Sequence, residues 1–409
     1  MQLPPIAEIT TFFPKQEDHV IQNLLICTQG IYAAKSSNLN EVKDELGVIL
    51  GNQSTTKPES NYQRLVRFFN IPDEEKVDLV KSLLFLSFYL LKLKGRKPKY
   101  LALDGTSWEY GVKKIHLLTL SVVINGVSIP IWWKELDKKG TSNTVERKEL
   151  MNEALKMYDL RGMILLADRE YIGEQWFNYL EDKGLRFVIR LKKGVYKDYI
   201  DQQRQGYDKD YKHQKWRYIG MEREAAKSLY ETCGVAKKVT ILGKDYTFVI
   251  FKNPKADAEE PLVYFLSTLK KKKKIVKAYP IRWTIETCFK HLKSNGFNLE
   301  ALNFKKSEKI QLMMGIVCFL YVLCIGEGWL QYRTMKKSDW KRYADGSINL
   351  AVSVFRKGRS YLTGKLSTLK SFLKYLKRLI KKGIKPSWVK MKYIVKSIQN
   401  SCSQVVSSP

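Results

Sequence analysis

Three carboxylates in the sequence occupy positions where metal-dependent chemistry could be built. Asp104 ends the apolar run Leu-Ala-Leu, Asp168 ends the run Leu-Leu-Ala, and Glu286 lies in a helical stretch after Pro280. Ligand sites in open α/β sheets gather at the carboxyl ends of strands. If the three side chains converge there, their hard oxygen ligands suit Mg²⁺ or Mn²⁺. We therefore expect two ions about 4 Å apart that activate an oxygen nucleophile for in-line displacement at phosphorus.

An aspartate after a strand, taken alone, more often caps a turn or a helix than binds a metal ion. The helix around Glu286 adds independent support for the metal site. Drawn at 100° per residue, its polar side chains share an arc of about 60°: Tyr279, Arg282, Glu286 and Lys293. A carboxylate for metal, flanked by cations and a phenol for phosphates, suits a nucleic-acid backbone. The alternative is an ordinary surface helix with an Arg282–Glu286 pair, worth a few tenths of a kcal/mol.

These helical residues and both aspartate motifs match a known set. The first match is the pattern Tyr-x-x-Arg-x-x-x-Glu-x-x-x-x-x-x-Lys, met at every offset by the four residues of the arc. The pattern resembles the signature of the insertion-sequence-four family of bacterial DDE transposases. That family's Asp-x-Thr motif is matched at residues 104–106 and its Asp-Arg-Glu-Phe motif at 168–171, where Tyr171 keeps the aromatic ring. The resemblance covers roughly residues 60–330.

The resemblance implies a fold, a cofactor and roles for single residues. It implies an α/β, ribonuclease-H-like catalytic core in which Asp104, Asp168 and Glu286 are both catalytic and metal-binding. The cofactor would be two Mg²⁺ (or Mn²⁺) ions per active site. Contacts to DNA are expected from Thr106, Arg169, Trp216, Tyr279, Arg282, Trp283 and Lys293.

The implied activity is that of a DNA transposase. It would bind the terminal inverted repeats of its element, pair two ends in a homodimeric complex, cleave the DNA and join the freed 3′ ends to target DNA. Similar transposases pass through hairpin ends and stack a flipped base on an aromatic residue of their insertion; Trp216 is the candidate here, with structural packing as the alternative. Two further functions stay open: a DNA-binding protein of transposase descent that does not cut, and a metal-dependent nuclease without strand transfer.

The composition suits a polyanionic partner. The chain of 409 residues has 72 Lys+Arg against 41 Asp+Glu, which gives a formal net charge of +31. Apolar residues make up 44% of the chain, so it can bury a sizeable core and is not a disordered polycation. Nucleic acid is the most plausible partner of such a chain, and a solvated cationic surface is the alternative.

Several other classes of protein are not expected. The six cysteines show no CxxC spacing and the four histidines do not cluster, which disfavours zinc, iron–sulfur and disulfide frameworks. The longest apolar run, Leu312–Ile325, has 14 residues. A membrane span needs about 20, so we predict a buried core helix and no membrane partner. Free thiols and the lack of a signal peptide predict a cytoplasmic protein, and the family resemblance implies that it is bacterial and nucleoid-associated.

Changes in composition divide the chain into regions. We predict a helical N-terminal DNA-binding domain at 1–98, a catalytic core at 99–194 and 262–330, a β-rich insertion at 195–261 and a basic helical region at 331–409. The insertion accounts for the 118 residues that separate Asp168 from Glu286. The last region carries a net charge of +17, more than half of the excess.

The patterns of apolar residues predict the elements that position the carboxylates. N-terminal helices are expected at Val20–Thr28, Leu39–Leu50, Asn61–Asn70 and Val77–Leu93. Core strands are expected at Tyr100–Asp104, Leu117–Ile124, Val127–Trp133, Met163–Ala167, Arg186–Leu191 and Leu262–Leu266. Asn125-Gly126 predicts a hairpin turn, because both positions tolerate positive φ. Core helices are expected at Thr144–Met157, at Gly173–Lys183, and from Pro280 to about Ser294.

A basic stripe follows one face of a predicted amphipathic helix over 369–385. Its members recur at three- and four-residue steps: Lys370, Lys374, Lys377, Arg378, Lys381, Lys382 and Lys385. Leucine, isoleucine and phenylalanine fill the opposite face. The stripe could contact DNA phosphates, pair two protomers or form a solvated face.

Overall fold

The chain folds into two compact units. A helical unit collects Met1–Lys97, Ser107–Ile115 and Cys288–Pro409, and a sheet unit collects Pro98–Thr106 and His116–Thr287. The computed structural model describes residues 6–51, 57–93, 97–138, 140–202, 217–227, 234–241, 243–253, 260–334, 336–344, 346 and 348–390.

Helices make up the N-terminal part of the helical unit. They are α1 (Ala7–Thr10), α2 (Asp18–Ala34), α3 (Leu39–Leu50), α4 (Pro58–Phe69) and α5 (Asp73–Leu90). Helix α3 has the predicted bounds because both of its ends are encoded locally. The Asn38 side chain accepts a hydrogen bond from the Asn40 amide at the start, and Gly51 adopts φ 69° at the end. Helix α1 has no counterpart in the prediction.

The main strands form one eight-stranded sheet. They are β1 (Tyr100–Tyr110), β2 (Lys113–Ile124), β3 (Val127–Leu136), β4 (Ile164–Ala167), β5 (Arg186–Leu191), β6 (Gly234–Ile241), β7 (Lys244–Lys252) and β8 (Leu262–Ser267), in the order β3-β2-β1-β4-β5-β8-β7-β6. Strand β4 is parallel to both of its neighbours. The β2–β3 hairpin turns at Asn125 and Gly126, which both have positive φ, as predicted.

Strand β1 is longer than predicted. The expected strand ends at Asp104, whereas β1 continues to Tyr110 beside β2. After Asp104, the side chains of β1 are partly buried and partly exposed. The run of apolar residues that predicted the strand therefore ends before the strand itself does. Asp104 therefore lies within a strand, while Asp168 directly follows β4, as predicted.

In the described part of the chain, six helices accompany the sheet. They are α6 (Thr144–Met157), α7 (Glu174–Asp182), α8 (Lys197–Gln202), α9 (Arg217–Ala226), α10 (Lys272–Ala278) and α11 (Thr284–Leu292). Helix α6 has the predicted bounds. A reciprocal capping box between Asn143 and Glu146 fixes its first turn.

The segment 195–261 is less β-rich and less separate than predicted. Its described residues form helices α8 and α9 as well as strands β6 and β7. Strand β7 pairs with β8 and with β6, so both strands extend the main sheet. Strand β6, at the end of the sheet, has mixed burial and therefore a partly polar sequence. Sequence composition alone does not distinguish such a strand from a separate module.

The C-terminal part of the helical unit is built around a long apolar helix. Its elements are α12 (Ser307–Gln331), the short antiparallel strands β9 (Trp340–Arg342) and β10 (Ile348–Leu350), α13 (Val354–Leu362) and α14 (Leu369–Ile380). Among the described residues, α12 alone is long and apolar enough to cross a membrane, with a mean hydropathy of 2.0 over 18 residues. That window is 89% buried, so the prediction of a buried core helix is confirmed.

Glycines allow α13 to cross α12 at short range. A Cβ atom at Gly328 would lie 2.0 Å from the Val354 carbonyl oxygen, and one at Gly358 would lie 1.8 Å from the Cys324 carbonyl oxygen. Real Cβ atoms do not approach backbone this closely, so any larger residue would separate the two helices.

N-terminal and C-terminal segments share this unit. Helix α12 packs on α2 and α5, and α14 packs on α1, α2 and α5. The Gln29 side-chain amide donates a 2.6 Å hydrogen bond to the Leu366 carbonyl. The segments predicted as the first and last domains thus belong to one compact unit, and their separate functions remain predictions.

Candidate active site

Three carboxylates meet around one guanidinium group in the sheet unit. Arg282 donates from Nη1 to Asp104 Oδ2 at 2.9 Å and from Nη2 to Glu286 Oε1 at 2.7 Å. The same Nη2 lies 3.9 Å from Asp168 Oδ2. The structure therefore brings together the three acids that the sequence singles out, and it adds a cation between them.

Neighbouring strands position the two aspartates. Strands β1 and β4 run in parallel, with Leu103 opposite Ala167, so the next residue on each strand is an aspartate at the same level of the sheet. The Gly105 amide donates to Asp104 Oδ1 at 2.9 Å. These contacts hold the carboxylates side by side.

Helix α11 brings in the glutamate, but the helix differs from the prediction. The expected helix runs from Pro280 to about Ser294. The structure instead has α10, a 3-10 turn at Tyr279–Trp283 that contains the proline, and then α11 ending at Leu292. Arg282, in this turn, is 4% exposed and its guanidinium faces the carboxylates. A contact of Arg282 with DNA remains a prediction.

Asp168 is held on its other oxygen. Its Oδ1 accepts hydrogen bonds from the Arg169 amide at 2.7 Å and from the Tyr279 hydroxyl at 3.2 Å. Burial raises the pKa of Tyr279 to about 12, with Arg282 opposing the shift. The phenol therefore stays protonated and remains a donor to the carboxylate.

The charges of the site are unbalanced. Burial raises the pKa of Asp104 to about 6, although Arg282 and the Gly105 amide lower it. Burial also lowers the pKa of Arg282, but its neighbours, Tyr279 and the carboxylates, outweigh this and raise the pKa overall. Among the described residues, Arg282 is the cation that faces all three carboxylates, which leaves an excess of negative charge.

The donor set fits divalent metal ions. Across the described ranges, no group of three or more His, Cys, Asp or Glu side chains already stands in metal-ligating geometry. Asp104, Asp168 and Glu286 nevertheless offer only hard oxygen atoms, which suit Mg²⁺ or Mn²⁺ and not zinc. Arg282 shows that the three carboxylates already converge on a positive charge.

His116 is a site residue that the sequence analysis missed. A Cβ atom at Gly105 would lie 2.7 Å from His116 Nε2, so the glycine between Asp104 and Thr106 makes room for this ring. Burial lowers the pKa of His116 and so disfavours the charged form of the ring. The cross-strand neighbourhood of β1 and β2 could have revealed it, since they form consecutive strands of a meander.

The other predicted DNA contacts in the sheet unit have varied surroundings. Thr106 is buried within β1, whereas the Trp283 side chain is 48% exposed and can meet a ligand. Half-exposed Arg169 pairs with Glu260. Trp216 lies outside the described residues.

Lys293 belongs to the helical unit and is engaged with its own chain. Its Nζ donates to the Ser107 carbonyl at 2.8 Å and pairs with Glu300 at 3.0 Å. It also lies 5.6 Å from the centre of the Trp108 ring. A contact of Lys293 with DNA remains a prediction.

A mixed sheet that positions two aspartates, with a helix that adds a glutamate beside them, defines an α/β protein with a candidate metal-dependent site. The sequence of residues 95–323, more than half of the chain, matches the family described as Transposase DDE domain. The chain belongs to this family, whose members generally use divalent metals. The assignment to DDE transposases is confirmed, while the insertion-sequence-four group remains a prediction.

Comparison with solved structures gives a distant similarity. The cryo-EM structure of a piggyBac transposase synaptic complex with hairpin DNA has 12% sequence identity to this chain and a TM-score of 0.43. The similarity covers 92% of this chain and 80% of the other. No curated protein matches the chain.

Proposed function

We propose that this transposase binds the terminal inverted repeats of its own element, cleaves the DNA there and joins the freed ends to target DNA. The convergence of Asp104, Asp168 and Glu286 within the reach of one guanidinium carries the proposal. Membership of the DDE family supports it. We further propose that the element is a bacterial insertion sequence of the insertion-sequence-four family, on the Tyr-Arg-Glu-Lys signature.

The catalytic core is proposed to be ribonuclease-H-like. The support is the strand order β3-β2-β1-β4-β5. Strands β2 and β3 form an antiparallel hairpin next to β1, and β4 is parallel to both β1 and β5. Asp104 and Asp168 lie on or directly after the adjacent strands β1 and β4, and Glu286 lies on the later helix α11.

The three carboxylates would hold two Mg²⁺ or Mn²⁺ ions, whose chemistry when bound is to activate the attacking oxygen and to stabilise the leaving oxygen. The chain's own residues organise the site. Tyr279 and the Arg169 amide orient Asp168, and the Gly105 amide orients Asp104. Arg282 keeps the like-charged carboxylates together.

The proposed reaction has two phosphoryl-transfer steps. A water oxygen bonds to phosphorus while the bond from phosphorus to the 3′ oxygen breaks, and the leaving oxygen takes up a proton to become a 3′ hydroxyl. In the second step, the oxygen of that hydroxyl bonds to phosphorus in the opposite strand, forming a hairpin, or in the target, and its proton is released. The bond from the attacked phosphorus to its own 3′ oxygen breaks, and that leaving oxygen takes up a proton. Neither step requires a covalent bond to a protein side chain.

The DNA partners are proposed from charge and exposure. The net charge of +31 favours association with double-stranded DNA, both the terminal repeats and the target. The exposed Trp283 ring beside Arg282 offers a surface for stacking or backbone contact. We propose that the N-terminal helices read the repeats, that a homodimer pairs the two ends, and that the protein acts at the bacterial nucleoid.

A strand-transfer assay tests this function. DNA that carries the repeats flanking the coding sequence is incubated with the protein and Mg²⁺, with EDTA as the metal-free control. Asp104→Asn, Asp168→Asn and Glu286→Gln should each abolish cleavage while DNA binding persists, because each change removes a metal-ligand charge and no phosphate contact. Asp182→Asn is the matched control, since its exposed carboxylate pairs with Lys244 at 3.5 Å away from the site.

The products separate the alternative functions. Cleavage without joining to target would identify a nuclease, and binding without cleavage would identify a DNA-binding protein of transposase descent. Cleavage by the Glu286→Gln variant at the wild-type rate would remove Glu286 from the active site.

A further inference from the structure

A cationic groove lies beside α14 in the helical unit. The groove has a volume of about 690 Å³. Its basic lining residues are Lys365, Lys370, Lys374, Lys377, Arg378 and Lys381. None of the described residues that line it is acidic. This groove and the hollow next to it are called the cationic patch below.

The adjoining hollow continues the positive charge on the other side of Arg378. It has a volume of about 260 Å³, and its basic lining residues also include Lys92, Arg333 and Lys382. Its one acid, Glu327, is 3% exposed.

Glu327 is already engaged within the protein. It accepts a 2.9 Å hydrogen bond from the Tyr375 hydroxyl and pairs with Lys365 at 3.6 Å. Its charge therefore balances Lys365 within the protein and does not balance the other cations of the patch.

The cations of the patch crowd one another. Lys370, Lys374 and Lys381 are exposed, and the described residues offer none of them an ion pair. Like charges four residues apart destabilise a helix by a few tenths of a kcal/mol. Burial and then the neighbouring cations Lys382 and Arg333 lower the pKa of Lys92. An anion bound in the patch would relieve this repulsion.

The apolar face of α14 is buried and therefore not accessible to a protein partner. Its apolar residues are buried inside the helical unit: Leu369, Phe372, Leu373, Leu376, Leu379 and Ile380. No residue of the exposed face of α14 is acidic, and the neighbouring acid Glu8 of α1 is already paired with Lys377 at 3.5 Å. Two copies would therefore repel each other across this face. This favours a polyanion over a second copy of the chain.

The length of the patch suits a duplex. From Lys370 to Lys381 a helix rises about 16 Å. Double-stranded DNA carries one charge per about 1.7 Å of its axis, so several phosphates come within reach of the stripe.

We propose that the cationic patch binds the phosphate backbone of duplex DNA, independently of sequence, as a contact formed by residues other than those of the active site. The inference deepens the proposed function, because DNA is the substrate in both. It assigns the basic stripe to DNA and not to a solvated face or to protomer pairing.

The salt dependence of DNA binding tests the proposal. The test variant is Lys370→Gln/Lys374→Gln/Lys381→Gln in the full chain. The control removes the same charge from exposed lysines of the sheet unit, as Lys156→Gln/Lys183→Gln/Lys237→Gln. Binding to a fluorescent duplex without inverted repeats is measured in EDTA over a series of KCl concentrations.

The slope of log K against log[KCl] should fall by about 3 in the test variant, since each phosphate that the patch no longer neutralises lowers it by about 0.9. The control should keep the wild-type slope, and a triple Lys→Arg version of the patch should keep it too. Circular dichroism verifies that each variant is folded.

An unchanged slope in the folded test variant overturns the proposal. An equal decrease in the control does so as well, because net charge alone would then explain binding. If the variant loses affinity for vesicles of anionic lipid while its DNA slope is unchanged, the patch is a lipid site instead. Strand transfer depends on Asp104, so its presence or absence is read separately from this result.

Discussion

Replacing Arg282 with glutamine removes the one cation around which the three carboxylates converge. The Arg282 residue is 4% exposed and makes charged hydrogen bonds of 2.9 and 2.7 Å. Removing one partner of a buried ion pair costs about 3–5 kcal/mol. Solvent reduces this cost here, because the carboxylate side chains of Asp104, Asp168 and Glu286 are 18%, 29% and 47% exposed. We expect the metal-free protein to lose about 2–4 kcal/mol of stability.

Urea unfolding followed by circular dichroism measures this loss in EDTA and again with millimolar Mn²⁺. A ligand that binds only the folded state stabilises it, and without Arg282 the ion meets no competing cation. Mn²⁺ should therefore stabilise Arg282→Gln more than the wild type and should recover part of the loss. Arg169→Gln is the control: its half-exposed pair with Glu260 should contribute less than about 1 kcal/mol.

Two results would refute this reasoning. If Arg282→Gln unfolds in EDTA at the wild-type urea concentration, the guanidinium does not compensate the carboxylates. If Mn²⁺ stabilises the variant no more than the wild type, the Arg282 guanidinium and the metal ion do not compete for the same carboxylates.

Three further outcomes are expected. Burial raises the pKa of Asp104 from 3.8 to about 6, so between these pH values the folded protein retains a proton that the unfolded chain has released. The free energy of unfolding of the metal-free protein should therefore fall as the pH rises from about 4 to about 6. Asp104→Asn should remove this part of the pH dependence, as measured by urea unfolding at each pH. Gly105→Ala places a methyl group 2.7 Å from His116 Nε2 and should cost about 1–3 kcal/mol, which an added His116→Ala should largely recover. Tyr375→Phe removes a hydrogen bond from buried Glu327 and should lower the unfolding free energy by about 1–3 kcal/mol; an unchanged urea midpoint would contradict this.

The parts of the fold that could be predicted are encoded by neighbouring residues. The cap at Asn38 and the left-handed Gly51 fix both ends of α3, and Asn125-Gly126 fixes a hairpin. The two aspartates were found because an apolar run that ends in a carboxylate indicates the end of a buried strand. Such signals need only a few residues.

The remaining features depend on residues far apart in sequence. Arg282 contacts Asp104, which lies 178 residues earlier in the chain, so a helical projection of its own segment does not reveal this environment. The position of His116 depends on its packing against β1. The pairing of β7 with β8 is a choice of partner that the local pattern of either strand does not specify.

Helix α12 has a consequence for synthesis of the chain. This apolar helix of 25 residues leaves the ribosome after α5 but before α13 and α14, which complete the helical unit around it in the folded protein. A nascent or truncated chain that stops near Gln331 therefore presents a stretch of membrane-spanning length with part of its cover missing, and such surfaces aggregate. Deleting residues 360–409 to remove the basic stripe would also remove the apolar face of α14. Point substitutions on the exposed side of α14 separate its charge from its role as a cover.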